Sequence, residues 1–96
     1  MATKKSRGLD PSLPETLTEQ LVSLIQGQIK SGELPPRTKL TPSVDMADAY
    51  GVSRSTVTAA MKVLTDEGLV RWVKGKGIFT AEPAVISEWI KRQGAR

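Results

Sequence analysis

The sequence contains no cysteine and no histidine. The first absence excludes a disulfide framework and a cysteine-based zinc finger. The second removes the commonest metal ligand and the commonest general base. Acid–base chemistry would then fall to carboxylates. Asp45 and Asp48, three residues apart on one helix face, are better explained by the positive end of that helix and by solvent. A non-enzyme is expected, with no metal and no cofactor. Aromatic residues make up only 4% of the chain, so aliphatic side chains must build the core. No apolar run nears the length needed to span a bilayer, and the N-terminus lacks the apolar segment of a secretory leader. A soluble, cytoplasmic protein associated with the nucleoid is expected, without membrane contact.

What is present is positive charge, and its placement is informative. The 96 residues form one domain with a modest core and a net charge of +4. The isoelectric point of about 9.7 lies in the range of nucleic-acid binders. Lys4, Lys5 and Arg7 precede the first acid, Asp10. Arg71, Lys74 and Lys76 occupy an acid-free stretch from 68 to 81, and Lys91, Arg92 and Arg96 close the chain. Residues 1–14, polar and basic with Pro11 and Pro14, read as a flexible arm able to reach a minor groove.

Leu17, Leu21, Leu24, Ile25 and Ile29 recur at helical spacing and predict a first helix over about 15–31. Gly32 stops it and Pro35-Pro36 prevents its resumption. Lys39-Leu40 reads as a very short strand. Thr41 is the expected N-cap of a second helix that has Pro42 at its first position and runs to about Tyr50. Gly51 breaks that helix in a positive-φ conformation. Ser53 caps a third helix from Arg54 to about Glu67, ended by Gly68. In "LVRWVKGKGIFTA" two apolar runs flank Gly75-Lys76-Gly77 and predict a β-hairpin with a thin cationic tip, closed by Glu82-Pro83. A last amphipathic helix over about 84–92 carries Val85, Ile86, Trp89 and Ile90. The expected fold is mainly α with one small hairpin: a winged helix-turn-helix over 15–82, with a short C-terminal helix and tail over 83–96.

The spacing of Ala47, Gly51 and Val57 suits two helices that cross steeply through a tight turn. On the third helix Val57, Ala60, Met61 and Leu64 predict the buried face. Arg54, Ser55, Thr58, Ala59, Lys62 and Thr65 face away, with two cations and no acid before Asp66. Such a face suits DNA: arginine can take both acceptors of guanine, hydroxyls reach phosphates or bases, and a small alanine can meet a thymine methyl. Lys76 between two glycines suits a wing that follows a backbone or enters a minor groove. Trp72 is expected to pack in the core or the hairpin, with a DNA contact as the less favoured alternative. The last helix is expected to form a dimer seam through Val85, Ile86, Trp89 and Ile90, with packing on the first helix as the alternative.

Residues 17–81 resemble the N-terminal DNA-binding domain of the GntR family of bacterial transcription regulators. The resemblance rests on "IKSGELPP" at 29–36, "YGVSRSTVTAAMKVLTDEGLV" at 50–70 and "GKGIF" at 75–79. It implies binding of double-stranded operator DNA as a homodimer, usually in repression, with the third helix in the major groove and the wing in the minor groove. Ser53, Arg54, Ser55 and Thr56 match the family's recognition-helix start and Gly77 its wing glycine; the family's Leu-Pro-Ser-Glu-Arg aligns with Leu40-Thr41-Pro42-Ser43-Val44, and Ser43 is a further expected DNA contact. Three positions depart from the pattern: Val44 stands where that motif has arginine, Thr58 aligns with a second arginine, and Arg37 aligns with a glycine. Arg37, Lys62, Lys74, Lys76 and the arm are the expected compensating cations. The family's effector-binding and dimerising domain has no counterpart in the sixteen residues after Thr80, so no small-molecule effector is expected within the chain. Its ordinary start favours a complete short regulator over a fragment. Two further readings stand beside the repressor: an architectural or partition protein with weak sequence preference, and a winged-helix module that binds protein.

Overall fold

The computed structural model describes residues 9, 10, 12 and 16–94. They form α1 (Leu17–Ser31), α2 (Ser43–Tyr50), α3 (Arg54–Asp66), β1 (Val70–Val73), β2 (Gly77–Thr80) and α4 (Pro83–Gly94). The order and type of the elements are those expected of a winged helix-turn-helix. Lys4, Lys5 and Arg7 of the expected arm lie outside the described residues. Two of its other residues are anchored on α1. Asp10 donates its N–H to Gln20 Oε1 at 2.8 Å and accepts Gln20 Nε2 on its carbonyl at 2.7 Å, while Leu9 packs half-buried on the core. The Ser12 hydroxyl and then the Ser12 N–H, both donated to the Asp10 carboxylate, hold that carboxyl below its ordinary range.

The helix ends follow local chemistry. The Thr16 hydroxyl accepts the Glu19 N–H, and the Glu19 carboxylate accepts the Thr16 N–H, both at 3.0 Å. This reciprocal box satisfies two donors at the start of α1. Ser53 caps α3 by accepting the Thr56 N–H at 3.1 Å. Gly51 ends α2 at φ +69, and Val52 donates to the Ala47 carbonyl at 3.0 Å to close the turn. The start of α2 departs from expectation by one residue. Pro42, not Thr41, is its N-cap, and no side chain caps that turn. Pro42 has an extended ψ of 148°, so the helix begins at Ser43 and Met46 makes the first bond back to the Pro42 carbonyl.

The core sits where α1 and α2 pack on α3. Leu21, Ile25 and Ile29 of α1 meet the predicted face of α3, where Val57, Ala60 and Leu64 are fully enclosed. Val22, off the predicted stripe, is also buried, and Ala47 is buried where α2 reaches α3. The hairpin pairs Val70 with Thr80 and Val73 with Gly77, antiparallel. A bridge between Lys39 and Phe79 adds the short strand read at Lys39-Leu40.

Thr80 locks this sheet to the α1–α2 link. It is a fully buried polar residue whose hydroxyl donates to the Pro35 carbonyl at 2.6 Å and accepts the Thr38 N–H at 2.7 Å. Thr80→Val keeps the shape and deletes both bonds, so a loss of about 1–3 kcal/mol in urea unfolding is expected. Thr80→Ser should recover most of it.

Two expectations about the C-terminal half are corrected, at Pro83 and at Trp72. Pro83 opens α4 at its first position instead of closing the hairpin unit; there its missing N–H costs nothing. Ile86 and Trp89 are buried in the chain's own core, with Lys30 Nζ 5.7 Å from the Trp89 ring centre. This is the packing on α1 given above as the alternative to a dimer seam; Val85 is exposed and Ile90 half-buried. Trp72 is not packed away either: it is 65% exposed. Its cross-strand partner Ile78 is buried, but the indole lies beyond the edge of the core.

Candidate nucleic-acid interface

The outer face of α3 is built as the sequence implies. Arg54, Ser55, Thr58, Ala59, Lys62 and Thr65 are all exposed while the opposite stripe is buried. The hydroxyls are not equivalent. Ser53 is occupied by the cap and lies 3.0 Å from the Thr56 hydroxyl, and Thr65 donates to the Met61 carbonyl at 2.7 Å. Ser53, Thr56 and Ser55, whose hydroxyl lies 3.3 Å from that of Ser53, therefore form one cluster at the helix start; all of Arg54, Ser55 and Thr58 remain exposed. Lys62 and Asp66 pair at 3.6 Å, but both are largely exposed, so the bond adds little and Lys62 remains available.

Two adjoining grooves join this face to the hairpin. One, of about 410 Å³, is bounded by Ser43, Thr58, Lys62, Thr65 and Asp66. The other, of about 250 Å³, is bounded by Lys39, Thr41, Ser43, Lys76 and Gly77. Ser43 and Trp72 are common to both. The fold thus brings together Ser43 of α2, Thr58 and Lys62 of α3, and Lys76 and Gly77 of the wing, elements whose residues here lie 14 to 34 positions apart in sequence. The first-turn N–H groups of α2 at Ser43 and Val44 have no intrahelical acceptor and no side-chain cap, so they add donors beside Ser43. Val44, in the place of the family's arginine, is exposed there.

The wing tip depends on Gly77, whose φ is +121. A Cβ at that position would come within 3.1 Å of Lys39 Cε, so the absent side chain leaves room for the Lys39 stem to lie along the tip. Lys74 and Lys76 are exposed on the turn. Sequence reading missed Lys39 and Trp72 as members of this surface. Their signal lay in the register: a strand at Lys39-Leu40 must run beside the wing, and Trp72 sits opposite Ile78, one ladder step below the tip.

Arg37 stands apart. It occupies the base of the hairpin, donating its N–H to the Ala81 carbonyl at 3.1 Å, and Nε pairs with Glu82 at 2.7 Å. Arg71 reaches the same carboxylate at 3.6 Å. Arg37 has φ +56, a conformation costing an L-residue about 1–2 kcal/mol. This is the position where the family pattern has glycine: the backbone keeps the left-handed turn, and Ala81 and Glu82 hold it. Glu67, which the sequence leaves unexplained, accepts Gln26 Nε2 at 2.7 Å and ties α3 to α1.

Among the described residues no helix is long and apolar enough to cross a membrane. The family model for bacterial regulatory proteins of the gntR family matches residues 17–80, from α1 to the end of β2. The chain is 37% identical over 70 residues to the HTH-type transcriptional repressor NagR of Bacillus subtilis, covering 73% of this chain and 29% of that protein. It is 35% identical over 72 residues to the histidine utilization repressor of Klebsiella aerogenes, covering 75% and 30%. The chain thus spans about three tenths of the length of these relatives. Its fold superposes on a GntR family transcriptional regulator from Listeria monocytogenes with a TM-score of 0.79 at 24% identity, over 91% of this chain and 75% of that one. The AraR DNA-binding domain, solved in complex with operator ORX1, superposes with a TM-score of 0.70 at 28% identity, over 76% and 92%. With α1, the helix-turn-helix and the wing all inside the matched span, the chain belongs to the gntR family of bacterial regulatory proteins.

Proposed function

We propose that the chain is a sequence-specific double-stranded DNA-binding regulator that represses by occupying an operator. In this reading α3 lies in the major groove, with Arg54, Ser55 and Thr58 toward the bases. The wing, through Lys74, Lys76 and Gly77, follows the adjacent minor groove. The observation that carries the reading is the acid-poor outer face of α3, continuous through Ser43 with the cationic wing. The likeness to an AraR domain solved on its operator supports it, as does the identity with two repressors. A homodimer on an inverted repeat would place half-sites about one helical turn apart, or a multiple of that. Val85 and Ile90 of α4 are the surface such a pairing would draw on.

Selection from a random duplex library at near-physiological salt tests the reading. An enriched inverted repeat supports it in full; an enriched single half-site retains the regulator and removes the dimer; no enrichment overturns sequence specificity. Val44 gives a second test. An arginine at its exposed position on the first turn of α2 adds a cation next to Ser43. Val44→Arg is expected to tighten binding and to steepen the slope of log affinity against log salt by about one unit. An unchanged slope would mean that this turn does not face DNA.

A further inference from the structure

Trp72 is the one large aromatic side chain that the fold leaves in solvent among the described residues, at 65% exposure. Three observations about its setting point the same way. It is shared by both grooves that connect the outer face of α3 to the wing, so it lies between them. The polar side chains that line these grooves are the hydroxyls of Thr41, Ser43, Thr58 and Thr65 and the ammonium groups of Lys39, Lys62 and Lys76; the single acid there, Asp66, already faces Lys62 at 3.6 Å. And it stands mid-strand in β1, opposite Ile78, rather than at the Lys74–Lys76 turn that forms the tip. A flat apolar face ringed by cations and hydroxyls does not match a bare apolar partner. It matches a polyanion with apolar surface between its charges. A sugar–phosphate backbone has that composition: deoxyribose offers carbon faces, and the phosphates on either side meet lysines and hydroxyl donors.

We propose that Trp72 packs against the sugar–phosphate backbone of the DNA strand lying between the groove that α3 reads and the groove that the wing follows. The inference rests on the DNA-binding reading above and adds a contact that no charge supplies. Trp72 is set back from the tip, so it does not stack between bases and does not read sequence. It acts as a non-ionic spacer that fixes how far the wing stands from α3 along the duplex. Its contribution therefore differs in kind from that of a lysine. Losing a lysine contact weakens binding and lowers the salt dependence together. Losing Trp72 weakens binding at every salt concentration by the same factor.

The experiment is fluorescence anisotropy of two labelled duplexes, one of mixed sequence and one carrying the library-enriched sequence, titrated at several salt concentrations. Trp72→Ala is expected to weaken both about tenfold with an unchanged salt slope, and Trp72→Phe to recover much of the loss. Acrylamide quenching gives an independent reading. Trp89 is only 5% exposed, so quenchable emission in the parent comes from Trp72, and it should become protected when mixed-sequence duplex is added. In Trp72→Phe, where Trp89 alone emits, DNA should change nothing.

Parent protein that binds DNA while Trp72 stays quenchable, or Trp72→Ala that binds both duplexes as the parent does, overturns the contact and leaves the DNA-binding reading standing. Weakening confined to the enriched sequence makes Trp72 a base contact and equally overturns the proposal. A lowered urea midpoint with unchanged affinity assigns it to hairpin packing instead. Parent protein that binds neither duplex removes both readings at once.

Discussion

Arg54→Ala is expected to bind the preferred operator about 1–3 kcal/mol more weakly than the parent, with a much smaller loss on unrelated duplexes. Arg54 is the first residue of α3, exposed, and among the described residues it takes part in no ion pair. Nothing in the fold competes for its guanidinium. Ser55, Thr58 and Ala59 beside it are small, so the helix can approach the floor of a groove closely enough for a bidentate contact to guanine. Lys76→Ala is the matched control. It removes a cation from the wing tip, which the proposed reading sets against phosphates, so all sequences should weaken alike and the salt slope should fall by about one. Anisotropy titrations of specific and non-specific duplexes over a salt series separate the two. An Arg54→Ala protein as selective as the parent would take the reading function away from the start of α3.

Leu64→Ala should have the largest effect on the fold, costing about 3 kcal/mol in urea unfolding. Leucine-to-alanine changes at enclosed sites cost about 2–5 kcal/mol, because the void left behind relaxes only in part. Leu64 is completely buried, on the helix that α1, α2 and β1 all pack against. A domain of this size has on the order of 5–15 kcal/mol in total, and the melting temperature should drop by on the order of 15 °C. At temperatures where the variant stays folded, its affinity for DNA should match the parent's, since Leu64 lies opposite the Arg54 face. A loss of affinity in the fully folded variant would mean that the outer face bends when the core is loosened.

Much of this architecture was legible because it is local. The stripes of α1 and α3, the Gly51 turn and the Ser53 cap are each set within a few residues, and each falls where period and turn chemistry put it. The departures are places where a distant part of the chain decides. Thr41 has the better capping side chain, yet the extended Pro42 sets the start of α2, one residue on, and Thr41 borders the groove with the wing instead. Trp89 looks like an interface anchor until α4 folds back onto α1. Trp72 looks like core until the register puts it past the last buried pair. The surface around Ser43 was legible only in pieces, since its lysines come from the α1–α2 link, α3 and the wing, and no spacing rule connects them. Arg37 shows the converse: aligned composition suggests a lost glycine turn, but hydrogen bonds to Ala81 and Glu82 keep the turn without the glycine.

The Thr80 lock also bears on the order of assembly. Its hydrogen bonds close loops of 42 and 45 residues, and the Lys39–Phe79 bridge spans a similar length. Packing of α1 on α3 closes loops of similar length, 41 residues at the Gln26–Glu67 bond, but it uses only segments that precede the hairpin. The third strand must wait, because bringing distant segments together costs chain entropy that only the completed sheet returns. During synthesis, then, the helical scaffold exists before the wing is seated. In the finished protein the exposed turn at Lys74–Lys76 lies beyond the bonds that tie Thr80 to the α1–α2 link, so the wing tip should open early in native-state hydrogen exchange. The end of the hairpin proposed to follow the second groove is thereby free to adjust while Thr80 keeps its base fixed to the scaffold.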